Sequence, residues 1–448
     1  MEQQNKMGTA KMGPLIFSMA LPAMISMIIN ALYNIVDSIF VAKYSQDALA
    51  AVSLVYPLQM LVVAIGVGTG VGVNSLIARR LGEKRQKHAD SAAEHGVALA
   101  VVGGIAFFIL GWGFSGVFVG AFGASEAVSA YAIQYSHLAV GMSIFVMISM
   151  MCEKIQQSGG NMIIPMCQGL TGAIINIILD PLMIFGIGPF PEMGIRGAAL
   201  ATVIGQIFGM ALGLWGVFRQ QKVLNVNMRE FKWRGQTIKD IYRVGLPGIV
   251  MQSVVSVMTA GMNGILIAFS QTAVNVLGVY FKLQTFLYLP ASGIVQGMRP
   301  ILSFNYGAGE KKRMKQILSV CTGLIFGILM VGTALFLLLP EPIMGMFSKD
   351  GVTIREGAAA LRIISLGFVV SGISVVASGA LEALGEGIPS FIISLLRYLV
   401  LIVPVASIGS RIFGITGVWG AFPVAEVLTA AVSAGIFTAR YRACLKRL

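Results

Sequence analysis

One pattern occurs twice in this chain, once in each half, and the two copies keep a nearly constant spacing. The matching pairs are Leu21–Pro22 with Leu246–Pro247, Ser45–Gln46 with Ser270–Gln271, Gly68 with Gly293, Gly72 with Gly297, Gly82 with Gly307, Gly194 with Gly414, and Gln206 with Glu426. A unit that fills half of the chain is far longer than the roughly 20–50 residues of a solenoid repeat. The repeat therefore predicts two homologous lobes, which is the plan of many secondary transporters.

The composition predicts that the chain lies in a membrane. Of its 448 residues, 56% are hydrophobic and only 11% are charged, whereas a soluble domain carries about 25% charged residues. A helix needs about 20 apolar residues to cross the bilayer. Twelve transmembrane helices are predicted, at 15–41, 52–78, 93–119, 131–156, 163–188, 195–218, 244–269, 275–303, 316–339, 359–381, 389–410 and 415–438. The predicted fold class is an all-α polytopic membrane protein.

Charge and helix number give the predicted topology. Most of the 32 lysines and arginines fall on one predicted side of the membrane, and the positive-inside rule assigns that side, with both termini, to the cytoplasm. Basic loops of this kind orient the chain and contact lipid headgroups, so no nucleic-acid partner is expected. The 4 cysteines form no Cys-x-x-Cys pair, which argues against a disulfide framework or a cysteine metal site.

The repeat and the longest polar connection divide the chain into three parts. We predict an N-terminal lobe at 1–218, a cytoplasmic linker at 219–243 and a C-terminal lobe at 244–448. Because six spans lie on each side of the linker, the two six-helix bundles have the same orientation, and a pseudo-two-fold axis along the membrane normal relates them. The cleft between the lobes is the expected place for a substrate.

Four polar residues of the N-terminal lobe are candidates for a cation-coupling site. Asp37 in the first span, Asn176 and Asp180 on one face of the fifth, and Thr202 in the sixth lie at similar predicted depths. Their oxygens suit Na⁺, while two crowded carboxylates would otherwise retain a proton. The structural alternative is that Asp37 caps backbone groups and that Asp180, just before Pro181, ends a hydrogen-bonded turn. No other metal and no organic cofactor are expected.

Other intramembrane charges are candidates for contact with a substrate in the cleft. They are Glu153, Lys282, Glu382 and Arg397. Charges at this depth are costly and often functional, although each could also form a structural ion pair or extend towards the interface. For Glu153, the structural alternative is a pair with Lys154, while a cleft-facing acid would attract cationic substrates.

Two prolines are candidate bending points. Pro22 and its repeat counterpart Pro247 lie a few residues inside their spans. A proline inside a helix removes a backbone hydrogen bond and favours a kink. We predict a hinge at Pro22, and a static kink that packing tolerates is the alternative.

Several of these segments resemble the multidrug and toxic compound extrusion (MATE) transporters. The segments that carry the resemblance are Leu21–Pro22, Val36–Val41, Pro57, Gln296–Pro300 and Asn305–Ala308. The last two are similar to the MepA-like and DinF-like bacterial branch. The resemblance covers essentially the whole chain.

The resemblance implies two lobes that form a V, and antiport of H⁺ or Na⁺ against bulky organic cations across a bacterial cytoplasmic membrane. It assigns the coupling site to Asp37, Asn176, Asp180 and Thr202. Other members of the family use acids of the seventh and tenth spans, but the seventh span of this chain has no acid. The expected protein is thus a monomeric multidrug efflux antiporter, with H⁺ favoured as the coupling ion.

The sequence leaves two alternative functions. A lipid-linked oligosaccharide flippase has a similar scaffold and would need a strongly cationic cleft, to which Lys282, Arg299 and Arg397 could contribute. A membrane enzyme is not expected, because the sequence has no metal-binding motif or nucleophile elbow and only 3 histidines.

Overall fold

The computed structural model describes residues 6–220 and 223–448. Twelve helical spans, named α1 to α12 here, make up most of it. Their bounds are α1 Met12–Tyr44, α2 Gln46–Gly82, α3 Gln86–Gly113, α4 Glu126–Ala139 with Ile144–Ser158, α5 Ile163–Phe185, α6 Ile195–Trp215 with the π-helical turn Gly216–Gln220, α7 Gly235–Leu266, α8 Gln271–Gly307, α9 Lys311–Leu338, α10 Gly351–Ser365 with Phe368–Ala383, α11 Gly387–Leu395 with the π-helical turn Leu396–Val400 and 402–413, and α12 415–446. Short helices lie at Lys6–Thr9, Ser115–Gly120, Met228–Glu230 and Pro340–Gly345.

The count of twelve agrees with the sequence prediction. By length and composition, eight helices of the described chain qualify singly as membrane spans, and two bent pairs raise this number to ten. One of the eight, Gly387–Lys446, contains two spans that meet at Gly414. The remaining helix, α8, has 37 residues like its repeat counterpart α2.

Two spans are broken rather than continuous, which corrects the unbroken helices predicted at 131–156 and 359–381. The two segments of α4 meet at 43° and those of α10 at 53°. Each break contains a glycine, Gly141 in α4 and Gly367 in α10, and glycine is one of the usual causes of a sharp kink. The breaks occupy corresponding places in the two halves of the chain.

The repeated sequence motifs mark helix starts. Ser45 and Ser270 are the N-caps of α2 and α8, and their hydroxyl oxygens accept hydrogen bonds from the amides of Asp47 at 3.2 Å and Ala273 at 3.0 Å. Gly194 and Gly414 open α6 and α12 with similar backbone angles, φ 54° and ψ −130° against φ 61° and ψ −144°. A positive φ of this kind favours glycine.

The two lobes touch along an inter-lobe seam in which α2 packs on α7 and α8 packs on α1. A side-chain carbon at any of six glycines of α2 and α8 would overlap the opposite helix. The Gly68–Ile249 contact corresponds to Gly293–Met24, and Gly72–Gly245 corresponds to Gly297–Ala20. Nearest the basic loops α2 meets α8 itself, where Gly82–Phe304 corresponds to Gly307–Arg79. Each contact occurs twice at repeat-equivalent positions, as a two-fold axis requires. This agrees with the predicted relation between the lobes.

Polar ties reinforce the end of the seam that carries the basic loops. The Ser75 hydroxyl donates to the carbonyl of Glu382 at 2.8 Å, at the end of α10. Arg79 donates to the carbonyl of Leu384 at 3.2 Å, and Arg80 pairs with Asp240 at 3.3 Å. All three ties join α2 to the C-terminal lobe, so the lobes are fastened together at this end.

The connection between α6 and α7 is docked on α3. The backbone amide of Asn225 donates to Asp90 at 2.9 Å, and that of Arg234 donates to Nε2 of His95 at 2.8 Å. The His95 ring also lies edge-on to Phe231 and Trp233. Helix α7 begins at Gly235, which is earlier than the predicted 244. Of the predicted linker, Gln221 and Lys222 lie outside the described residues, as do residues 1–5 of the predicted N-terminal lobe.

We predict that Gly307→Val destabilises the fold because the added side chain would overlap the Arg79 carbonyl across the seam. The expected loss of unfolding free energy is about 1–3 kcal/mol, as for overpacking of a close-packed site. Gly323→Val is the matched control, since that glycine in α9 has open space around it. Thermal unfolding in detergent measures the stability of both purified variants. Equal stability of the two would contradict the close contact between helices at Gly307.

Candidate functional site

The packing of α1 on α5 brings Asp37 and Asp180 together. A side-chain carbon at Gly169 of α5 would lie 3.0 Å from the Ser26 hydroxyl of α1, so the two helices approach closely there. About three turns further along the two helices, on the same faces, are Asp37 and Asp180. The two carboxyl groups are close enough to interact with each other.

The packing of α5 on α6 adds the amide and the hydroxyl. Gly172 and Gly205 face each other across these antiparallel helices, and either added side chain would meet the other's carbonyl. One turn away, Nδ2 of Asn176 donates to Asp180 Oδ1 at 3.1 Å and to Thr202 Oγ1 at 3.2 Å. The structure thus brings all four sequence-predicted residues to one place inside the N-terminal lobe.

This cluster has spare acceptor capacity. Asp180 is completely buried and Asn176 nearly so. Three buried oxygens, Asp37 Oδ1, Asn176 Oδ1 and Asp180 Oδ2, receive no hydrogen bond from a donor among the described residues. Buried acceptors without a donor cost about 1–3 kcal/mol each, and more when charged. A proton or a small cation would satisfy them.

The donor set suits a hard cation or a proton rather than a transition metal. Within the described chain, no three histidine, cysteine or acidic side chains converge as a metal site. Carboxylate, amide and hydroxyl oxygens are ligands for hard cations. Alternatively, the contact between two carboxyl groups becomes a hydrogen bond when one of them is protonated, because an ionised carboxylate can only accept.

The sequence analysis missed two tyrosines beside the acids. Tyr33 of α1 and Tyr135 of α4 are close enough to interact electrostatically with both Asp37 and Asp180. Gln59 of α2 donates to the Tyr135 hydroxyl at 3.3 Å. Tyr33 precedes Asp37 by one turn and could have been inferred from that spacing. Tyr135 carries no such signal because its position depends on how α4 packs.

In the C-terminal lobe, two of the predicted cleft residues each form an ion pair with another residue of the same lobe. Glu382 pairs with Arg299 at 2.6 Å and accepts from the Ser390 hydroxyl at 3.1 Å. Arg397 pairs with Glu426 at 2.8 Å. All but Arg299 are largely buried, so these groups bridge helices within the lobe. The sequence analysis identified Glu426 only as the counterpart of Gln206, not as the partner of Arg397.

The Arg397–Glu426 pair is the centre of a polar cluster that joins four helices. Arg397 also donates to the Tyr288 hydroxyl at 3.2 Å. That hydroxyl in turn lies 2.5 Å from Oγ of Ser371. The cluster connects α8, α10, α11 and α12, and its ionic charges balance.

The two remaining candidates differ from each other. Glu153 pairs with Lys154 at 2.8 Å and accepts from Gln157 at 2.7 Å, which is the structural alternative considered above. Lys282 of α8 is exposed and pairs with no carboxylate of the described residues. Contact of either residue with a substrate stays a prediction.

Comparison with known proteins supports the architecture over the whole chain. The MatE family model matches residues 22–182 and 247–408, one copy in each lobe. The FAD transporter of Shewanella oneidensis is 25% identical over 431 residues, which cover 96% of this chain and 95% of that protein. The multidrug export protein MepA of Staphylococcus aureus is 26% identical over 416 residues, covering 92% and 90%.

A solved structure has the same fold. It is described as the outward-facing conformation of a multidrug resistance MATE family transporter of the MOP superfamily. It superposes with a TM-score of 0.92 at 25% identity, covering 100% of this chain and 99% of that one. These matches confirm the predicted fold class and the predicted family. The chain belongs to the MatE family and is a multi-span membrane transporter that uses a cation gradient, not an enzyme.

Proposed function

We propose that this protein is an efflux antiporter that exports amphipathic organic compounds, including organic cations, in exchange for H⁺. The observation that carries the proposal is the convergence of Asp37, Asn176, Asp180 and Thr202 inside one lobe. Two ionised carboxyl groups repel each other, and one proton converts that repulsion into a hydrogen bond. Such a site can therefore couple ion binding to the position of the helices that carry it.

Helix α1 is the element that would transmit this change. Its outer end packs in the N-terminal core through Val41, beside the acids. Its inner end packs in the C-terminal core through Leu15, Ile16, Met19 and Ala20. Pro22 lies between the two ends, next to the seam. We propose that loss of the proton separates Asp37 from Asp180 and bends α1 at Pro22, which weakens the seam.

Na⁺ is the second candidate for the coupling ion. The three acceptor oxygens without a donor support it, since they could ligate a small cation directly. The closeness of the two carboxyl groups supports H⁺, because like charges so near each other favour the protonated form of one of them.

Charge pairing disfavours the lipid-linked oligosaccharide flippase. Of the three basic residues that could line a cationic cleft, Arg299 and Arg397 are neutralised by Glu382 and Glu426. Only Lys282 stays unpaired within the described chain, which is a weak attraction for a pyrophosphate. The similarity to the multidrug export protein MepA also favours the export of small molecules.

The division of the chain and its topology complete the proposal. We propose lobes at 1–218 and 244–448, joined by a linker at 219–243, with both termini in the cytoplasm of a bacterial cell and the protein acting as a monomer. The positions of the basic residues support this orientation. No nucleic acid and no organic cofactor enter the mechanism.

The experiment that tests the function is efflux of ethidium from proteoliposomes under a pH gradient or a Na⁺ gradient, imposed separately. We expect efflux under the pH gradient alone. Efflux under the Na⁺ gradient alone would mean that the protein is an antiporter whose coupling ion is Na⁺. The absence of efflux under both gradients, with folded protein, would overturn the function and make lipid-linked substrates the next assay.

We predict that Asp180→Asn and Asp37→Asn each reduce ethidium efflux to the rate of empty vesicles, because neither variant retains a proton-binding carboxyl pair. Asp47→Asn is the matched control, since Asp47 is an exposed acid at the start of α2. Thermal unfolding would check that all three proteins are folded. Transport at the wild-type rate by both site variants would remove the acids from the coupling mechanism.

A further inference from the structure

Helix α8 carries a polar stripe along one face of its outer half. The stripe consists of Gln271, Asn275, Lys282 and Thr285, and all four side chains are exposed. The opposite face packs into the core of the C-terminal lobe through Ala273, Val276, Leu277 and Tyr280. A polar stripe on a membrane helix faces water or polar groups rather than lipid tails.

The seam shows where this stripe points. Gly293 of α8 contacts Met24 of α1 in the seam. Lys282 lies about three turns further out on the same face of α8. Gly293 and Gly297 of α8 contact Met24 and Ala20, which lie in the inner half of α1. In the outer half of α8, the same helix face points into the proposed cleft. Lys282 therefore faces the N-terminal lobe across the cleft.

The neighbouring helix repeats this arrangement. In α7, Gly245 and Ile249 contact α2 in the seam. The residues on the same face further out are Gln252, Ser256, Thr259 and Asn263. The outer part of the C-terminal wall is thus polar, with hydroxyl and amide groups from two helices around one lysine, while the exposed Phe286 lies on the same face of α8 nearer the seam.

The α2 part of the facing wall is apolar. On α2, Pro57 and Leu61 lie on the same face as Gly68, further out, and both are exposed. Tyr56 and Met60 beside them are also exposed. A ligand between the walls would meet an aromatic and aliphatic surface on one side and a cationic polar surface on the other.

The charge of Lys282 has no internal compensation. The other basic residues that the sequence analysis considered within the spans, Lys154, Arg299 and Arg397, each pair with an acid. The predicted span of α8 begins at 275, so at a rise of about 1.5 Å per residue Lys282 lies about 10 Å inside the bilayer core. Because Lys282 is exposed on the face that points into the proposed cleft, cleft water or a ligand can solvate its ammonium group.

We propose that Lys282 forms an anion-binding subsite of the cleft, which takes amphipathic substrates that carry a carboxylate on an apolar aromatic body. The inference rests on the proposed efflux function and narrows its substrate class. It extends export from organic cations to zwitterions and organic anions. Lys282 supplies the charge, the hydroxyl and amide groups of α7 and α8 orient the carboxylate, and the α2 wall contacts the rings.

The test compares a rhodamine that has a free benzoate with its methyl ester, two dyes that differ only in the carboxylate. Their binding to the purified full-length protein is measured by fluorescence anisotropy at low ionic strength. We expect Lys282→Met to weaken binding of the free acid about tenfold or more, as for loss of a charged hydrogen bond. Binding of the ester should change less than about twofold, and Lys282→Arg should retain most of the affinity for the acid.

Lys43→Met is the matched control, because it removes an exposed lysine at the end of α1, outside the cleft. Equal losses for both dyes in Lys282→Met would mean that the lysine shapes the cleft and does not bind the carboxylate, and this would overturn the inference. An unchanged affinity for the acid would do the same. If the wild-type protein exports the ester and Lys282→Met changes the affinity for both dyes equally or for neither, the subsite fails while the proposed function stands. If the wild-type protein binds and exports neither dye, the proposed function fails as well.

Discussion

The close contact of α2 with α7 and of α8 with α1 is the constraint on which the rest of the molecule depends. In a bilayer, helices gain little from hydrophobic burial against each other and associate through close packing. Glycines at six repeat-related positions allow this approach. The glycine contacts of the seam lie near the basic loops, and the proposed cleft lies between the same four helices at the other end.

Helix α1 links this seam to the candidate coupling site. Its inner turns belong to the core of the C-terminal lobe and its outer end to the core of the N-terminal lobe. The cost of burying Asp37 and Asp180 is tolerable only while a proton or a cation compensates it. In the proposed mechanism, a change at this site therefore acts directly on a helix that belongs to both cores.

Much of this arrangement could be predicted from the sequence. The repeat gave two lobes and its glycines mark the seam, while the spacing of Asn176 and Asp180 placed them on one face. The breaks in α4 and α10 were not predicted, since hydropathy continues through Gly141 and Gly367. Nor was the partner of Arg397, because a pairing between α11 and α12 depends on their rotation about their axes. Periodicity shows which face of a helix is polar but not what that face contacts.

The docked linker has a consequence for how the lobes can move. Arg234 is held by His95 of α3, and the first residue of α7 follows it directly. The start of the C-terminal bundle is thus tethered to a fixed point on the N-terminal bundle. While this hydrogen bond persists, the lobes cannot slide apart as two separate bodies. A rotation of the lobes about this tether would preserve the hydrogen bond, with the largest displacements at the points farthest from it.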